Sequence, residues 1–295
     1  MTQLAAIAPS TAAGPQAAAP QPATAVWAPL QFIRRQNEKP QFLSSRLTGG
    51  APKILFGTDI HEVPIHDMRP MADDLSLDRE GFTLLRHVTA VNDLYDDTAV
   101  ERAYVPEIQW LLARELGASR VVVFDVTRRS DGGGGAMNPD GLRGPATRVH
   151  VDYTLKSGPQ RTKDILGEAE FARLEAAGSR IVQVNVWRPI KGPVERAPLA
   201  LADASSVRFE DLVATDQVFP DRVGEIYHLA HDPAQRWYYA PRMTPDEVLL
   251  IKGWDSLDDG RAQFTPHSAF DAPDTSETAT PRESIEVRTL VVIDH

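Results

Sequence analysis

The chain has 295 residues, of which 42% are hydrophobic, so it can bury one sizeable core and we expect a single domain with appendages. Its formal net charge of −10 argues against binding to nucleic acid or to anionic membranes, and no run of about 20 apolar residues exists to span a bilayer. Because cysteine is absent, disulfides, thiolate nucleophiles and iron-sulfur clusters are excluded, and any metal must be bound by His, Asp or Glu.

The N-terminal 25 residues form an Ala- and Pro-rich segment. This composition cannot bury enough apolar surface to offset the entropy of ordering, so we predict a disordered tail at 1–25 and a single domain at 26–295. The segment has no basic region followed by an apolar stretch, so it is not a secretory signal and we expect a cytoplasmic protein. Scattered prolines between residues 26 and 75 predict irregular structure with short strands.

A helix is predicted from Asp96 to about Leu116, because apolar residues recur there at helical spacing and Gly117 follows as a C-terminal cap. A second helix is predicted from about Thr162 to Ala177. The other periodic segments are short and mostly rich in aliphatic, β-branched or aromatic residues, which is typical of strands. They are Arg120–Val126, Arg148–Tyr153, Arg180–Trp187, Ala197–Leu201, Arg236–Tyr239, Glu247–Gly253 and Ile285–Ile293.

Many short strands with a few helices predict a mainly β fold with flanking helices. We expect a double-stranded β-helix, which is a cupin-like jelly roll, with its core at roughly residues 105–294. A loop with four consecutive glycines at 132–135 lacks the Lys-Ser/Thr of a P-loop, so we expect a lid or a connector there and not a phosphate site.

The triplet His150-Val151-Asp152 lies in the predicted strand Arg148–Tyr153. Side chains two residues apart on a strand point the same way, so an imidazole and a carboxylate can converge on one metal ion. Two solvated polar residues on a surface strand are the alternative, since short His-x-Asp triplets also arise by chance. A neighbouring Gly-rich loop favours a site, because a mobile loop beside a strand end suits substrate entry.

A facial triad requires one more histidine, and three follow before the C-terminal residue. His228 and His231 lie in a polar stretch with Asp232 and Pro233, which predicts exposed histidines in a turn. His267 lies in TPHSAF, 15 residues before Arg282, and this pairing favours His267 as the third ligand. Two histidines and one carboxylate on one face of octahedral Fe(II) are diagnostic of non-heme iron oxygenases.

Three coordination positions of such a metal stay open, and a 2-oxo acid can occupy two of them. Its distal carboxylate then needs a planar cation, which arginine provides through two parallel hydrogen bonds. Arg282 is followed two residues later by Ser284, whose hydroxyl can add a hydrogen bond. Arg288 has the same parity along the strand but is followed by Leu290, so we expect Arg282 to be the anchor.

These residues resemble a known family of oxygenase-like proteins. It includes the small subunit of cephamycin 7-alpha-methoxylation, gibberellin-desaturase-like and AsaB-type hydroxylase/desaturase proteins, and a fungal meroterpenoid endoperoxidase. The resemblance runs from about Val105 to Asp294 through the strings RVHVDYT, VNVWRPIKGPVERAPLALADASSV, WYYAPRMTPDEVLLIKGWDS, TPHSAF and RESIEVR.

The resemblance implies a double-stranded β-helix that binds Fe(II) through His150, Asp152 and His267 and 2-oxoglutarate through Arg282 and Ser284. With O2, the reaction would be hydroxylation, desaturation or a related oxidation of a small molecule, in keeping with secondary metabolism. The matching strings also suggest pocket residues, although Trp187 as core and Lys252 as a solvated strand residue are the structural alternatives. The suggested pocket residues are Tyr153, Asn185, Trp187, Arg188, Lys252 and Arg288.

Three alternatives stay open at the level of the sequence. The first is an iron oxygenase that does not consume 2-oxoglutarate. The second is a non-catalytic subunit of a two-protein system, since one similar protein acts in such a pair, and a homodimer is equally open. The third is a zinc hydrolase using the same triad, which the absence of a His-Glu-x-x-His motif disfavours.

Overall fold

A computed structural model describes residues 25–49, 52–139 and 141–294. The predicted disordered tail at 1–25 therefore lies, apart from Ala25, outside the described residues. No helix in the described ranges is long and apolar enough to cross a membrane.

Strands dominate the described part of the chain and form two large sheets. The strands are β1 (Ala25–Ile33), β2 (Gln41–Leu43), β3 (Lys53–Ile54), β4 (Thr58–Asp67), β5 (Phe82–Arg86), β6 (Arg120–Ser130), β7 (Ala136–Asn138), β8 (Gly141–Arg143), β9 (His150–Val151), β10 (Arg180–Pro189), β11 (Leu199–Ala202), β12 (Leu212–Val218), β13 (Val223–Leu229), β14 (Trp237–Tyr239), β15 (Glu247–Asp255), β16 (His267–Ala269) and β17 (Glu283–Ile293). The larger sheet has the order β1-β4-β14-β11-β16-β9-β13-β12-β2-β3, and the smaller has β5-β15-β10-β17-β6. Strands β7 and β8 form a separate hairpin.

The two sheets face each other across an apolar interior. Trp187 on β10 and Leu249 on β15 pack in one buried cluster with Leu201 on β11, which belongs to the larger sheet. The opposite face of the smaller sheet, with Val184 and Val186 among others, packs against a helix. This arrangement of two facing sheets with helices outside is the mainly β jelly roll that the sequence predicts.

Five helices pack at the edges and outer faces of the sheets in the described residues. They are α1 (Ser45–Thr48), α2 (Asp97–Ala99), α3 (Val105–Leu116), α4 (Ser157–Leu166) and α5 (Glu168–Ala176). The predicted helix up to Leu116 is confirmed, although it contains a π-helical segment, Val100–Tyr104, and Gly117 caps it with a φ of 64°. The predicted helix at 162–177 is instead two helices, because Gly167 adopts a φ of 87° that breaks the hydrogen-bonding pattern.

The prediction for residues 26–75 is confirmed for the short strands β2 and β3, but it missed the two long strands β1 and β4. Strands β1 and β4 pair antiparallel over nine residues and form one edge of the larger sheet. Pro29 is accommodated because β1 is the outermost strand, where this proline has no second neighbour that needs its missing N–H. Ala28, Leu30 and Phe32 alternate into the core, so the pattern of a half-buried strand is present around that proline.

Candidate metal centre and its cavity

His150, Asp152 and His267 lie together on the inner face of the larger sheet. His150 on β9 pairs directly across from His267 on β16, and the two ring centroids are 4.5 Å apart. Asp152 lies one residue beyond the end of β9. One ligand atom from each of the three side chains lies within 4.8 Å of the others. Tertiary pairing of short strands therefore gathers the three residues that the sequence singles out.

Backbone carbonyls fix the orientation of both imidazoles. The Nδ1 atom of His150 is 2.8 Å from the carbonyl oxygen of Arg148, and the Nδ1 atom of His267 is 3.0 Å from that of Thr265. A carbonyl oxygen only accepts, so each Nδ1 carries the proton and each Nε2 has a free lone pair. Burial and the neighbouring His267 lower the pKa of His150 to about 3, which keeps this ring neutral at physiological pH.

The two carboxylate oxygens of Asp152 have different surroundings. The side-chain amide of Asn185 donates to Oδ2 at 2.5 Å, and the Nε atom of Arg288 lies 3.5 Å from the same oxygen. The other oxygen, Oδ1, lies 3.7 Å from Nε2 of His150. Burial by itself raises the pKa of Asp152, but the charge of Arg288 and the hydrogen bond from Asn185 bring it well below its usual range. Asp152 is therefore ionised, with Oδ1 turned towards the histidines.

This donor set fits a ferrous ion. Two neutral imidazole nitrogens and one carboxylate oxygen are the ligands of the 2-His-1-carboxylate triad, which leaves three positions open on an octahedral metal. The carbonyls behind both imidazoles and the amide behind the carboxylate are the outer contacts that metal ligands normally have.

Arg282 is a buried cation without an acidic partner among the described residues. Its side chain is 2% exposed, Nη1 donates to the carbonyl of Ala197 at 2.8 Å, and Nε has no hydrogen-bond partner. Its guanidinium lies 5.8 Å from the ring of Trp187. Burial and the charge of Arg129 lower the pKa of Arg282 to about 10, so it remains protonated. Such a group is suited to an anionic ligand, because a buried charge is otherwise costly.

Ser284 is also buried and lies on β17 between two neighbouring strands, opposite Pro189 on β10 and Arg129 on β6. Arg288, further along β17, differs from Arg282 because it is surrounded by carboxylates. Its guanidinium pairs with Asp125 at 2.7 Å and with Glu286 at 2.6 Å, besides its approach to Asp152. The charge of Arg288 is therefore already compensated within the protein.

A cavity of about 1000 Å³ opens beside the triad. His150, Asp152 and the buried side chain of Tyr153 form part of its wall, together with Arg129 and Arg288. This volume is at the upper end of the range found for small-molecule sites. The cavity therefore gives a small organic molecule access to the metal ligands.

Comparison with known proteins matches almost the whole domain. A family model described as "Oxidoreductase/YMDC permease-like domain" matches residues 30–292. The hydroxylase/desaturase efuI of Hormonema carpetanum is 34% identical over 268 residues, which cover 83% of this chain and 87% of efuI. The Fe(II)/2-oxoglutarate-dependent dioxygenase nvfI of Aspergillus novofumigatus is 32% identical over 250 residues, covering 82% of this chain and 87% of nvfI.

A solved structure of the iron and alpha-ketoglutarate-dependent endoperoxidase NvfI superposes with a TM-score of 0.79 at 30% identity, over 92% of this chain and 99% of that chain. The chain belongs to the NvfI-type family of iron- and 2-oxoglutarate-dependent oxygenases. Its cofactors are therefore Fe(II), 2-oxoglutarate and O2, in agreement with the donor set of the triad. The jelly-roll prediction is confirmed, and the zinc-hydrolase alternative is wrong.

One histidine of this oxygenase lies where the sequence did not predict it. His228, expected in an exposed turn, is 4% exposed and belongs to β13, where its Cα pairs with that of His150. Its Nδ1 lies 2.9 Å from the hydroxyl of Thr215, and burial together with the charge of Arg148 lowers its pKa to about 3. The apolar residues Ile226, Tyr227 and Leu229 around it were the available signal, but the polar residues that follow obscured it. His231 does lie in a loop, where its ring stacks on His61.

Two of the expected pocket residues lie on the wrong face of the smaller sheet. Arg188 points to the helix side, where its guanidinium lies 5.3 Å from the ring of Tyr104 and donates to the carbonyl of Pro245 at 2.9 Å. Lys252 is fully buried on the same side and pairs with Asp255 at 2.7 Å and Asp78 at 2.9 Å. The pocket assignment of Arg188 and Lys252 is therefore wrong, and so is the alternative of a solvated Lys252.

Asn185 and Trp187, which were also expected in the pocket, lie on the inner face of β10 and contact residues of the proposed site. Asn185 contacts Asp152, and Trp187 packs in the interior cluster beside Arg282. Sequence reasoning missed the cavity-lining cations Arg129, Arg148 and Arg161. From the sequence alone, a charged residue in a short strand or helix is predicted to be exposed to solvent. The tertiary structure is needed to show that it lines a cavity.

Proposed function

We propose that this oxygenase binds Fe(II) through His150, Asp152 and His267, holds the distal carboxylate of 2-oxoglutarate with Arg282 and Ser284, and hydroxylates or desaturates a small organic molecule. The single observation that carries the proposal is the metal cluster: two imidazoles with free Nε2 atoms and one ionised carboxylate lie within bonding reach of one ion. The relatives named as hydroxylase/desaturase and as dioxygenase support the type of oxidation.

When bound, iron and 2-oxoglutarate together activate O2 and supply the oxidising power, with 2-oxoglutarate converted to succinate and CO2. The protein's own residues contribute positioning and charge. Asn185 and Arg288 hold Oδ2 of Asp152, so that Oδ1 is presented to the metal in one orientation. The carbonyls of Arg148 and Thr265 do the same for the two imidazoles.

The assignment of Arg282 as the anchor rests on charge compensation. A 2-oxo acid anchor must offer a guanidinium that no carboxylate of the protein occupies, and Arg282 meets this condition among the described residues whereas Arg288 does not. Its buried, unpartnered Nε–H would donate a hydrogen bond to the distal carboxylate. Ser284 lies two residues along the chain and is buried beside the same inner face.

Anaerobic titration of the apoprotein with Fe(II) and then with 2-oxoglutarate tests the proposal. We expect a visible metal-to-ligand charge-transfer band only when both are present, and its loss in Asp152→Ala. Succinate formation with substrate oxidation then separates this function from an oxygenase that does not consume 2-oxoglutarate. A wild-type protein that binds Fe(II) but gives no band and no succinate with 2-oxoglutarate contradicts the proposal.

Turnover by the purified chain alone also addresses the open question of a partner. We expect 2-oxoglutarate decarboxylation without a second protein, because the three proposed ligands and the proposed anchor all come from this one chain. Activity that appears only after a second protein is added would instead support a subunit of a two-protein system.

A further inference from the structure

The wall of the cavity is cationic although the chain as a whole is acidic. Eight Lys or Arg residues line the cavity against five Asp or Glu residues, while the formal net charge of the chain is −10. Most of the carboxylates are already engaged. Asp125 pairs with Arg288, and both Asp216 and Glu225 pair with Lys39. The cavity therefore presents positive charge that the described part of the protein does not neutralise.

Arg148 is the cation of this wall that most clearly lacks a partner. It is partly buried, its guanidinium lies 5.8 Å from the ring of Phe42, and its side chain makes no ion pair with any described residue. Its Nε atom is buried without a hydrogen-bond partner. A buried donor without a partner is unfavourable, and because Arg148 lines a cavity, a bound acceptor can satisfy this one.

Arg148 is also close to the proposed metal ligands. It lies two residues before His150, and its carbonyl oxygen accepts the hydrogen bond from Nδ1 of His150 at 2.8 Å. Arg282 does not line this cavity. The two arginines therefore lie at separate positions. Arg282 is the proposed cosubstrate anchor, and Arg148 lies beside the cavity where a substrate would bind.

Arg161 provides a matched comparison. It lines the same cavity from α4, its guanidinium lies 5.1 Å from the ring of Phe124, and it has no ion pair within the described ranges. Unlike Arg148, it has no buried nitrogen without a partner. Both residues contribute the same unit charge to the cavity, but only Arg148 has an unsatisfied buried donor.

We propose that the substrate is a small carboxylic acid whose carboxylate is bound by the guanidinium of Arg148, a proposal that rests on the function proposed above. A planar guanidinium matches a carboxylate through two parallel hydrogen bonds. The rings of Phe42 and Phe124, which also line the cavity, suit an apolar or aromatic body attached to that carboxylate.

Two fluorescent probes that differ only in charge test this proposal: dansylglycine, which has a carboxylate, and dansylglycinamide, its neutral amide. Each is titrated into the protein loaded anaerobically with Fe(II) and 2-oxoglutarate. We expect wild type to bind the carboxylate about tenfold or more tightly than the amide, as a charge-assisted hydrogen bond in a partly buried site requires. Arg148→Gln should remove this preference, and Arg161→Gln should retain most of it.

Several outcomes overturn the proposal. They are equal binding of the two probes by wild type, a preference that survives Arg148→Gln, an equal loss in both variants, and displacement of dansylglycine by excess 2-oxoglutarate. The last would assign Arg148 to the cosubstrate. If Arg148→Gln does not fold by circular dichroism, Arg148→Lys replaces it, since it keeps the charge and loses the planar fork, and it should reduce the preference.

Failure of this inference differs from failure of the proposed function. If the charge-transfer band and succinate form but the probes bind equally, the oxygenase assignment stands and the substrate class is wrong. If neither band nor succinate appears while the metal-loaded protein still prefers the carboxylate probe through Arg148, an anion site exists but the oxygenase function is wrong.

Discussion

Replacing Arg282 with alanine tests how this fold holds its cosubstrate. The guanidinium is 2% exposed and still charged, since its pKa lies at about 10. Within the described residues, the guanidinium donates one hydrogen bond, from Nη1 to the carbonyl of Ala197 at 2.8 Å. The distal carboxylate of 2-oxoglutarate would supply the missing negative partner, so the variant should lose a buried charge-assisted pair.

The expected magnitude follows from that burial. Loss of a buried, hydrogen-bonded charge pair typically costs about 2 to 5 kcal/mol, which corresponds to roughly 30-fold to several thousand-fold in affinity. Ser284 and the metal would still contribute binding in the variant. We therefore expect the lower end of the range, so that Arg282→Ala raises the apparent 2-oxoglutarate requirement about 30-fold while Fe(II) binding persists.

Titrating 2-oxoglutarate into Fe(II)-saturated protein and following the charge-transfer band measures this effect. Arg282→Lys is the matched control, because it keeps the charge but loses the planar fork, and its defect should be smaller than that of alanine. Arg288→Ala should instead weaken Fe(II) retention, since Arg288 contacts Asp152, and should leave the 2-oxoglutarate requirement nearly unchanged at saturating iron. A large shift in Arg288→Ala and none in Arg282→Ala would show that the anchor is misassigned. No shift in either variant would refute the cosubstrate site.

Three further predictions concern the ligands and the core. Asp152→Ala should abolish iron-dependent turnover and keep the circular dichroism spectrum, because the carboxylate coordinates metal and is not core packing; full activity with stoichiometric iron would contradict this. Asn185→Ala should weaken Fe(II) affinity about tenfold or more, as loss of an outer contact to a metal ligand usually does, and equilibrium metal titration measures it; an unchanged affinity would show that Asn185 does not orient Asp152. Lys252→Met should lower the free energy of unfolding by about 1.5 to 3 kcal/mol in urea, because Asp255 loses its hydrogen bond from a buried cation and keeps Arg180 as its ion-pair partner, with 2-oxoglutarate binding unaffected; a change in that binding at constant stability would restore Lys252 to the pocket.

The candidate metal ligands could be predicted from the sequence because their chemistry is local. With no cysteine, a metal needs His, Asp or Glu, and His150 and Asp152 are two residues apart near a strand end. The position of His267 in TPHSAF, 15 residues before Arg282, was consistent with the residue order expected of an iron oxygenase. Short-range spacing and the alternation of strands carry this information without knowledge of the neighbouring strands.

The sequence could not predict which side chains of a fully buried strand point to the inner face of the sheet and which point to the helix side. Strand β10 is buried on nearly all of its length, so its hydrophobic pattern does not alternate and does not tell Asn185 from Arg188. The pairing of β10 with β15 also shifts register between Gln183 and Val184. A bulge of this kind changes which side chains share a face, and it depends on a strand almost 70 residues away in the chain, as Val184 pairs with Lys252.

By itself, the sequence determined the fold class, the three candidate metal ligands and the arginine-serine pair, because composition, spacing and periodicity are properties of neighbouring residues. The tertiary structure was needed to show that Arg282 has no acidic partner in the described ranges while Arg288 has three carboxylates nearby, and that His228 is buried. It also decided that Arg148 faces a cavity. The physical reason is that burial and charge compensation depend on which distant strands lie side by side, and no local pattern records that pairing.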